Sequence, residues 1–286
     1  MSLIQLNKFG TLHNGSDIIF CKTELLKSEF KKIAEIKNNV ILISGNSDDP
    51  VDIQLSSKMP ENILHWYCQN NEVFNDRLTS IPIGLENTFT NKRTGHGVAW
   101  PHAREKIKLL NDVIKVQQTF KPNKLVYANF NVITNKSHRL PIADLCKKNT
   151  FITWHEPLLK YSEFIKQVLN HEATICPAGN GIDTHRLYEV LYCDRVAITI
   201  KTGNYAIYNS LYEKLPIVIL NNIEDLYNKD KISQLINDAR IKKKSMNLLD
   251  FNYWEKLILE SSSNIVKKPT IQFKVKQLIT DIFRWR

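Results

Sequence analysis

Nine short runs of apolar, β-branched or aromatic residues alternate with longer segments of helical period, and that alternation restricts the chain to an α/β fold with parallel strands joined by crossover helices. The runs at 17–21, 40–44, 63–68 and 80–84 form a first series, with helices predicted over 23–36 and 103–118. The runs at 125–130, 151–154, 173–176, 196–200 and 216–220 form a second, with helices predicted over 137–148, 158–169, 183–193 and 205–213. In the 103–118 segment Ile107, Leu110, Val113 and Ile114 share one stripe opposite lysines, as packing on a sheet requires. Between the series lies Thr119-Phe-Lys-Pro-Asn-Lys124, a Pro/Asn junction after a helix and before a fresh strand, which marks the expected boundary. The chain therefore reads as two Rossmann-like domains, 1–121 and 122–262, facing a central cleft toward which the strand C-terminal ends point. Residues 263–286 read as a basic amphipathic C-terminal helix.

Composition narrows the functional classes. With 286 residues, 43% hydrophobic and 24% charged, the chain can bury a large core without disulfides or structural metal. Cys21, Cys68, Cys146, Cys176 and Cys193 are odd in number, scattered and outside any CxxC pair, so they read as reduced and structural. The 39 basic against 29 acidic residues favour a polyanionic partner: nucleic acid, anionic lipid or a phosphorylated small molecule. No stretch has the length of a membrane span and the N-terminus lacks a signal-peptide pattern, so the expected location is cytoplasmic. The last twenty residues carry six Lys/Arg against Asp281 alone, with Val275, Leu278, Ile279 and Ile282 at helical spacing. That tail reads either as a closing helix packed on the body or as a peripheral contact with the inner face of an anionic membrane.

The most informative segment is Pro177-Ala-Gly-Asn-Gly-Ile-Asp-Thr-His-Arg-Leu-Tyr-Glu-Val-Leu191, which follows a strand with a tight Gly-containing loop and then a helix. Asp183 is a natural N-cap, and Ala178, Gly179 and Gly181 let backbone amides approach a ligand. A helix start of this kind attracts anions; Arg186 in its first turn can grip a phosphate, and Glu189 on the same face can accept from ribose hydroxyls. The alternative is a surface Arg186–Glu189 pair beside an ordinary Gly turn. His185 and Glu189, at i and i+4, lack further ligands for a metal.

The segment resembles the donor-site motif of exostosin-type glycosyltransferases and their bacterial and viral relatives, P-x-G-x-G-x-D-x-x-R-x-(W/Y/F)-E-x-L, at every position. The resemblance extends to Leu125-Val-Tyr-Ala-Asn-Phe-Asn-Val-Ile-Thr-Asn-Lys-Ser-His-Arg139, to the strand at 196–200 with Gly203-Asn204 behind it, and to Leu215-Pro-Ile-Val-Ile-Leu220, about 100 residues in all. It departs at Tyr192-Cys-Asp-Arg195, where relatives often have a small-residue turn. The resemblance implies a GT-B-like architecture, with a nucleotide-sugar donor, commonly UDP-linked, held by the C-terminal domain and the acceptor by the N-terminal one. It implies that Gly179, Asn180, Gly181, Asp183, Thr184, His185, Arg186, Glu189, Gly203 and Asn204 line the donor site, with Arg139 on the diphosphate. It further implies a metal-independent, inverting transfer to a glycan, glycolipid or glycoprotein hydroxyl, with no cofactor beyond the nucleotide-sugar co-substrate.

The acceptor side must come from the first half, where Val40-Ile-Leu-Ile-Ser-Gly-Asn-Ser-Asp-Asp-Pro50 is a buried strand running into a polar loop. A general base is needed there, and Asp48 is the candidate, with a turn or cap before Pro50 as its alternative. Asn46 and Asp49 of the same loop, His13, Glu86 with Asn87, and His96 and His102 around Trp100 are the remaining acceptor-side candidates. Two other classes stay open: a catalytically inactive glycosyltransferase-like partner subunit, and a basic nucleic-acid-binding protein. No nucleic-acid partner is expected, because no recognition motif for one occurs.

Overall fold

The structure, a computed structural model, describes residues 1–88, 102–241 and 247–266. The first half contains α1 (Leu6–Thr11), β1 (Ile18–Lys22), α2 (Leu26–Ala34), β2 (Val40–Gly45), α3 (Ile53–Ser56), β3 (Ile63–Cys68), β4 (Leu78–Ser80) and α4 (Ala103–Val116). The second contains β5 (Lys124–Ala128), α5 (Lys136–Lys148), β6 (Ile152–Trp154), α6 (Tyr161–Asn170), β7 (His171–Ile175), α7 (His185–Tyr192), β8 (Val196–Ile200), α8 (Ala206–Ser210), β9 (Ile217–Leu220), α9 (Lys229–Ile241) and α10 (Phe251–Val266). All strand pairings within the two sheets are parallel, in the orders β1-β2-β3-β4 and β6-β5-β7-β8-β9. The protein is an α/β fold of Rossmann-like, parallel-sheet halves.

Strand alternation explains how the halves join. Along β2, Val40 and Leu42 pack outward with Leu26, Phe30 and Ile33 of α2, while Ile41 and Ile43 face the opposite way into a central cluster. In β5 and β8, Val126, Ala128, Val196 and Ile198 pack with α5 and α9, whereas Tyr127 and Ala197 face the same central cluster. Both sheets thus bury one face against a shared middle layer containing residues of α1, α4, α6, α7, α8 and α10. Strands buried on both faces read as continuous apolar runs, which is why β2 and β8 were plain in the sequence.

The junction at residues 120–123 is fastened by Arg195, whose Nη2 donates to Phe120 O at 2.9 Å and to Leu169 O at 2.9 Å. The chain then returns to the first sheet: Phe251 N donates to Ser2 O at 2.9 Å, and Tyr67 Oη meets Ser261 Oγ at 2.7 Å. The expected division after 262 therefore falls inside α10, a helix that packs on the N-terminal half. Of the basic tail, only 263–266 lies within the described residues. The strand predicted at 80–84 is displaced to Leu78–Ser80, because Gly84 (φ 66°) and Leu85 leave the sheet to bridge Gln5. All five cysteines are free and buried. Among the described residues, no helix is long and apolar enough to cross a membrane.

Candidate functional site

In the five-stranded sheet the chain moves one way after β5 and the other after β7, and these two strands are neighbours. A crevice opens outside their carboxyl ends at such a reversal. Its walls are the loop after β5, ending in Asn135 at the start of α5, and the loop Pro177 to Thr184 after β7. Arg139, in the first turn of α5, bridges them: Nε donates to Ala178 O at 2.8 Å, Nη2 to Pro177 O at 3.1 Å and Nη1 to Asn131 O at 2.8 Å. It has no carboxylate partner among the described residues, and burial together with nearby Arg186 pushes its pKa down to about 10. Arg186 donates through Nη1 to Asn129 O at 3.0 Å, and its guanidinium lies 3.7 Å over the Phe164 ring.

Neither helix start at this crevice carries a side-chain cap. Asn135 spends its amide on Gly179 O at 2.8 Å, and Thr184 Oγ1 is buried without a partner among the described residues. A Cβ on Gly179 would lie 3.2 Å from Arg139 Nη2 and 3.8 Å from Thr184 Cγ2, so the loop backbone passes close beneath the guanidinium. Two guanidinium groups and two uncapped helix starts make the crevice electropositive, an arrangement suited to an anion.

Asp183 departs from its expected capping role. The N-cap of α7 is Thr184, and Asp183 is instead a buried hub between the halves. Its Oδ2 accepts from Ile83 N at 2.9 Å and Tyr188 Oη at 2.7 Å; its Oδ1 accepts from Tyr212 Oη at 2.7 Å and Thr184 N at 3.0 Å. Burial raises its pKa while these four donors oppose the rise. Asn70 completes the junction, accepting from Asp183 N at 2.9 Å and donating to Ser47 O at 3.1 Å. A Cβ on Gly181 would come within 2.9 Å of Asn70 Nδ2, so a larger residue would displace the Asn70 side chain.

The loop after β2 meets the loop after β7 at the rim. Asp48, exposed, accepts from Asn180 Nδ2 at 3.1 Å. Asn46 (φ 54°) accepts from Asn87 Nδ2 at 2.9 Å, and its own Nδ2 is buried without a partner among the described residues. Asp49 is exposed, its backbone amide held by Ser47 Oγ at 3.1 Å. His185 contacts Gly84 O through Nδ1 at 2.8 Å, a further link between the halves.

Glu189 is 5% exposed and pairs with Arg186 Nε at 3.2 Å. The pair read as the alternative from sequence is thus present, and the carboxylate faces a recess rather than open solvent. Leu85, Glu86, Ala103, Lys106, Ile107, Leu110 and Tyr161 form the rest of that recess. Glu86 bonds Lys106 at 2.8 Å, the Lys106 ammonium lies 5.1 Å from the Tyr161 ring centre, and the buried Tyr161 hydroxyl has no partner among the described residues. Burial raises the pKa of Glu189, opposed by Arg186 and Lys106.

Other candidates lie apart from these loops. His13 accepts from Phe20 N at 3.1 Å on the edge strand β1. Exposed His102 precedes α4, 3.8 Å from Glu105. His96 lies outside the described residues. Gly203 and Asn204 follow β8, one strand beyond the crevice, and a Cβ on Gly203 would strike the Tyr205 ring at 2.4 Å. Among the described residues, no three His, Cys, Asp or Glu side chains cluster as metal ligands.

Sequence reasoning missed Asn70, Lys106 and Tyr161. The consecutive amides Gln69, Asn70 and Asn71 directly after an apolar strand were a usable signal, since three buried amides demand partners. Tyr161 and Lys106 gave none, because their meeting with Glu189 depends on how α4, α6 and α7 pack.

No family model matches the sequence, and no curated protein does. Among solved structures the chain is similar to the crystal structure of TarM, a glycosyltransferase, at a TM-score of 0.39 and 14% identity, over 88% of this chain. The chain spans 55% of that one's length. A likeness this distant transfers neither an activity nor a residue role.

Proposed function

We propose that the protein is a glycosyltransferase that moves a sugar from a nucleotide-linked donor to a hydroxyl of a glycan, glycolipid or glycoprotein. The observation that carries this reading is the pairing of Arg139 and Arg186 at the β5/β7 crevice, where Glu189 pairs with Arg186 and, among the described residues, Arg139 has no carboxylate partner. A diphosphate supplies the missing negative charge. Its oxygens replace the Pro177 and Ala178 carbonyls as acceptors for Arg139, while Arg186 and the first amides of α7 take the remainder.

In the reaction, the acceptor oxygen bonds to the anomeric carbon as the bond from that carbon to the phosphate oxygen breaks. Asp48, exposed at the rim opposite Asn180, takes the acceptor proton, and inversion follows from attack opposite the leaving group. The nucleoside diphosphate departs with its charge held by the two arginines, which removes the need for a divalent cation. UDP-linked sugars are the first donors to test. A nucleotide-binding partner subunit without turnover is the second reading, favoured by the engagement of Asp48 with Asn180 and of Glu189 with Arg186.

Thermal shift against UDP, GDP, ADP and their sugar conjugates tests the donor site. A ligand at 100 times its Kd raises stability by about 2.7 kcal/mol. A base-selective shift that survives EDTA, followed by sugar release, is expected. A shift without turnover supports the partner subunit, and no shift with any nucleotide overturns the donor reading. A strict requirement for Mn²⁺ contradicts metal independence.

A further inference from the structure

We infer that Phe164 and Glu189 are positioning residues that fix the Arg186 guanidinium for the diphosphate and do not themselves touch the ligand. The inference rests on the donor reading above and deepens it. Arg186 is held on three sides: Nη1 donates to Asn129 O at 3.0 Å, Nε pairs with Glu189 at 3.2 Å, and the guanidinium carbon lies 3.7 Å from the centre of the Phe164 ring. A guanidinium carries five N–H donors in one plane. Among the described residues nothing accepts from Nη2, so that end is left for a phosphate oxygen. The Arg186 side chain is 30% exposed, whereas Phe164 and Glu189 are buried behind it.

The supporting ring is itself held in place. Phe164, on α6, lies 5.9 Å from the Tyr127 ring and 6.2 Å from the Tyr161 ring, centre to centre. Arg139 is held differently: its guanidinium is 6.0 Å from the Phe130 ring, and its Nε and Nη2 rest on the backbone carbonyls of Ala178 and Pro177, which phosphate oxygens would replace. Arg186 keeps all three holders when an anion arrives at Nη2, so it loses little side-chain freedom on binding. Glu189 acts from the inside. The recess it shares with Glu86, Lys106 and Tyr161 has room for about one water, too little for a ribose, so its carboxylate orients Nε instead of reading hydroxyls.

Phe164→Leu removes the ring without changing charge, and Phe164→Met serves if the first variant does not fold. Calorimetric titration with UDP, GDP and ADP would compare the substitution in the parent and in an Arg186→Ala background. The expected result in the parent background is a nucleoside diphosphate Kd about two- to tenfold weaker, the effect of one long side chain that must be ordered on binding. With Arg186→Ala in place the same substitution should change the Kd by less than about twofold, because the ring then has nothing to position. Equal losses in both backgrounds, or none in the parent, would overturn the role of Phe164 while the donor reading stands. Glu189→Gln combines loss of orientation with loss of a negative charge, and should shift the Kd by at least about twofold only while Arg186 is present. A weakening that persists in the Arg186→Ala background would show Glu189 reading the ribose, and no shift in the parent would show it idle; either overturns its positioning role. If the parent binds none of the diphosphates, the donor reading fails and the inference falls with it.

Discussion

Tyr212 and Tyr188 each give a 2.7 Å hydrogen bond to the buried Asp183 carboxylate, which also accepts from the Ile83 amide across the junction. A hydrogen bond to a charged group contributes about 1.5–3 kcal/mol, and its loss leaves the carboxylate less satisfied. Tyr212→Phe should therefore lower the urea midpoint by an amount corresponding to about 1.5–3 kcal/mol; an unchanged midpoint would show that the hub carries no stability. At the crevice the expectation concerns binding. If Arg186 holds the diphosphate as proposed, Arg186→Ala should weaken nucleoside diphosphate binding by about 1.5–3 kcal/mol, the worth of one charge-assisted contact. Calorimetry on a variant with a parent-like melting temperature checks it, and unchanged affinity would remove Arg186 from the diphosphate site. The motif residues were legible in the sequence as a group. Their individual tasks were not, because Asp183 looks like a cap until Ile83, Tyr188 and Tyr212 surround it.

At the scale of elements, two turns with similar composition have opposite tolerances. Gly84 has φ 66°, and a Cβ there would strike the Ile4 carbonyl oxygen at 2.4 Å. Backbone cannot yield as a side chain can, and the left-handed conformation adds strain for any other residue. Gly179 has as its nearest neighbour the Arg139 guanidinium at 3.2 Å, a side-chain contact that a shift of a few tenths of an ångström relieves. Gly84→Ala is expected to cost more than about 2 kcal/mol, and Gly179→Ala less than about 1 kcal/mol. Parallel urea denaturation of both variants measures the contrast; equal losses would contradict it. The strand and helix pattern was readable because β2, β3 and β8 are apolar runs bounded by polar turns. The early end of β4 was not readable, since it depends on Gln5, some eighty residues away, pairing with Gly84 and Leu85.

For the whole molecule, the shared middle layer joins the two sheets in one hydrophobic cluster, and pH acts on groups in both halves. Burial is the first cause that holds His65, His138 and His171 below the ordinary imidazole value. Between their folded values and about pH 6.5 the unfolded chain binds protons that the folded one does not, so these groups add stability as pH rises through that window. The raised carboxyls of Asp183 and Glu189 act oppositely, losing their contribution as pH rises through their folded values. NMR titration should therefore show the three imidazoles protonating below about pH 6.5, and ordinary titration at any of them would contradict its burial.

The sequence by itself determined the α/β class, the parallel strands and the Gly-containing segment before α7, because hydrophobic period, turn residues and local spacing are properties of neighbouring residues. Tertiary structure alone decided that both sheets share one middle layer, that α10 returns to the first sheet, and that Glu189 faces Glu86, Lys106 and Tyr161. These outcomes depend on which faces pack together, and residues far apart along the chain meet only when they do.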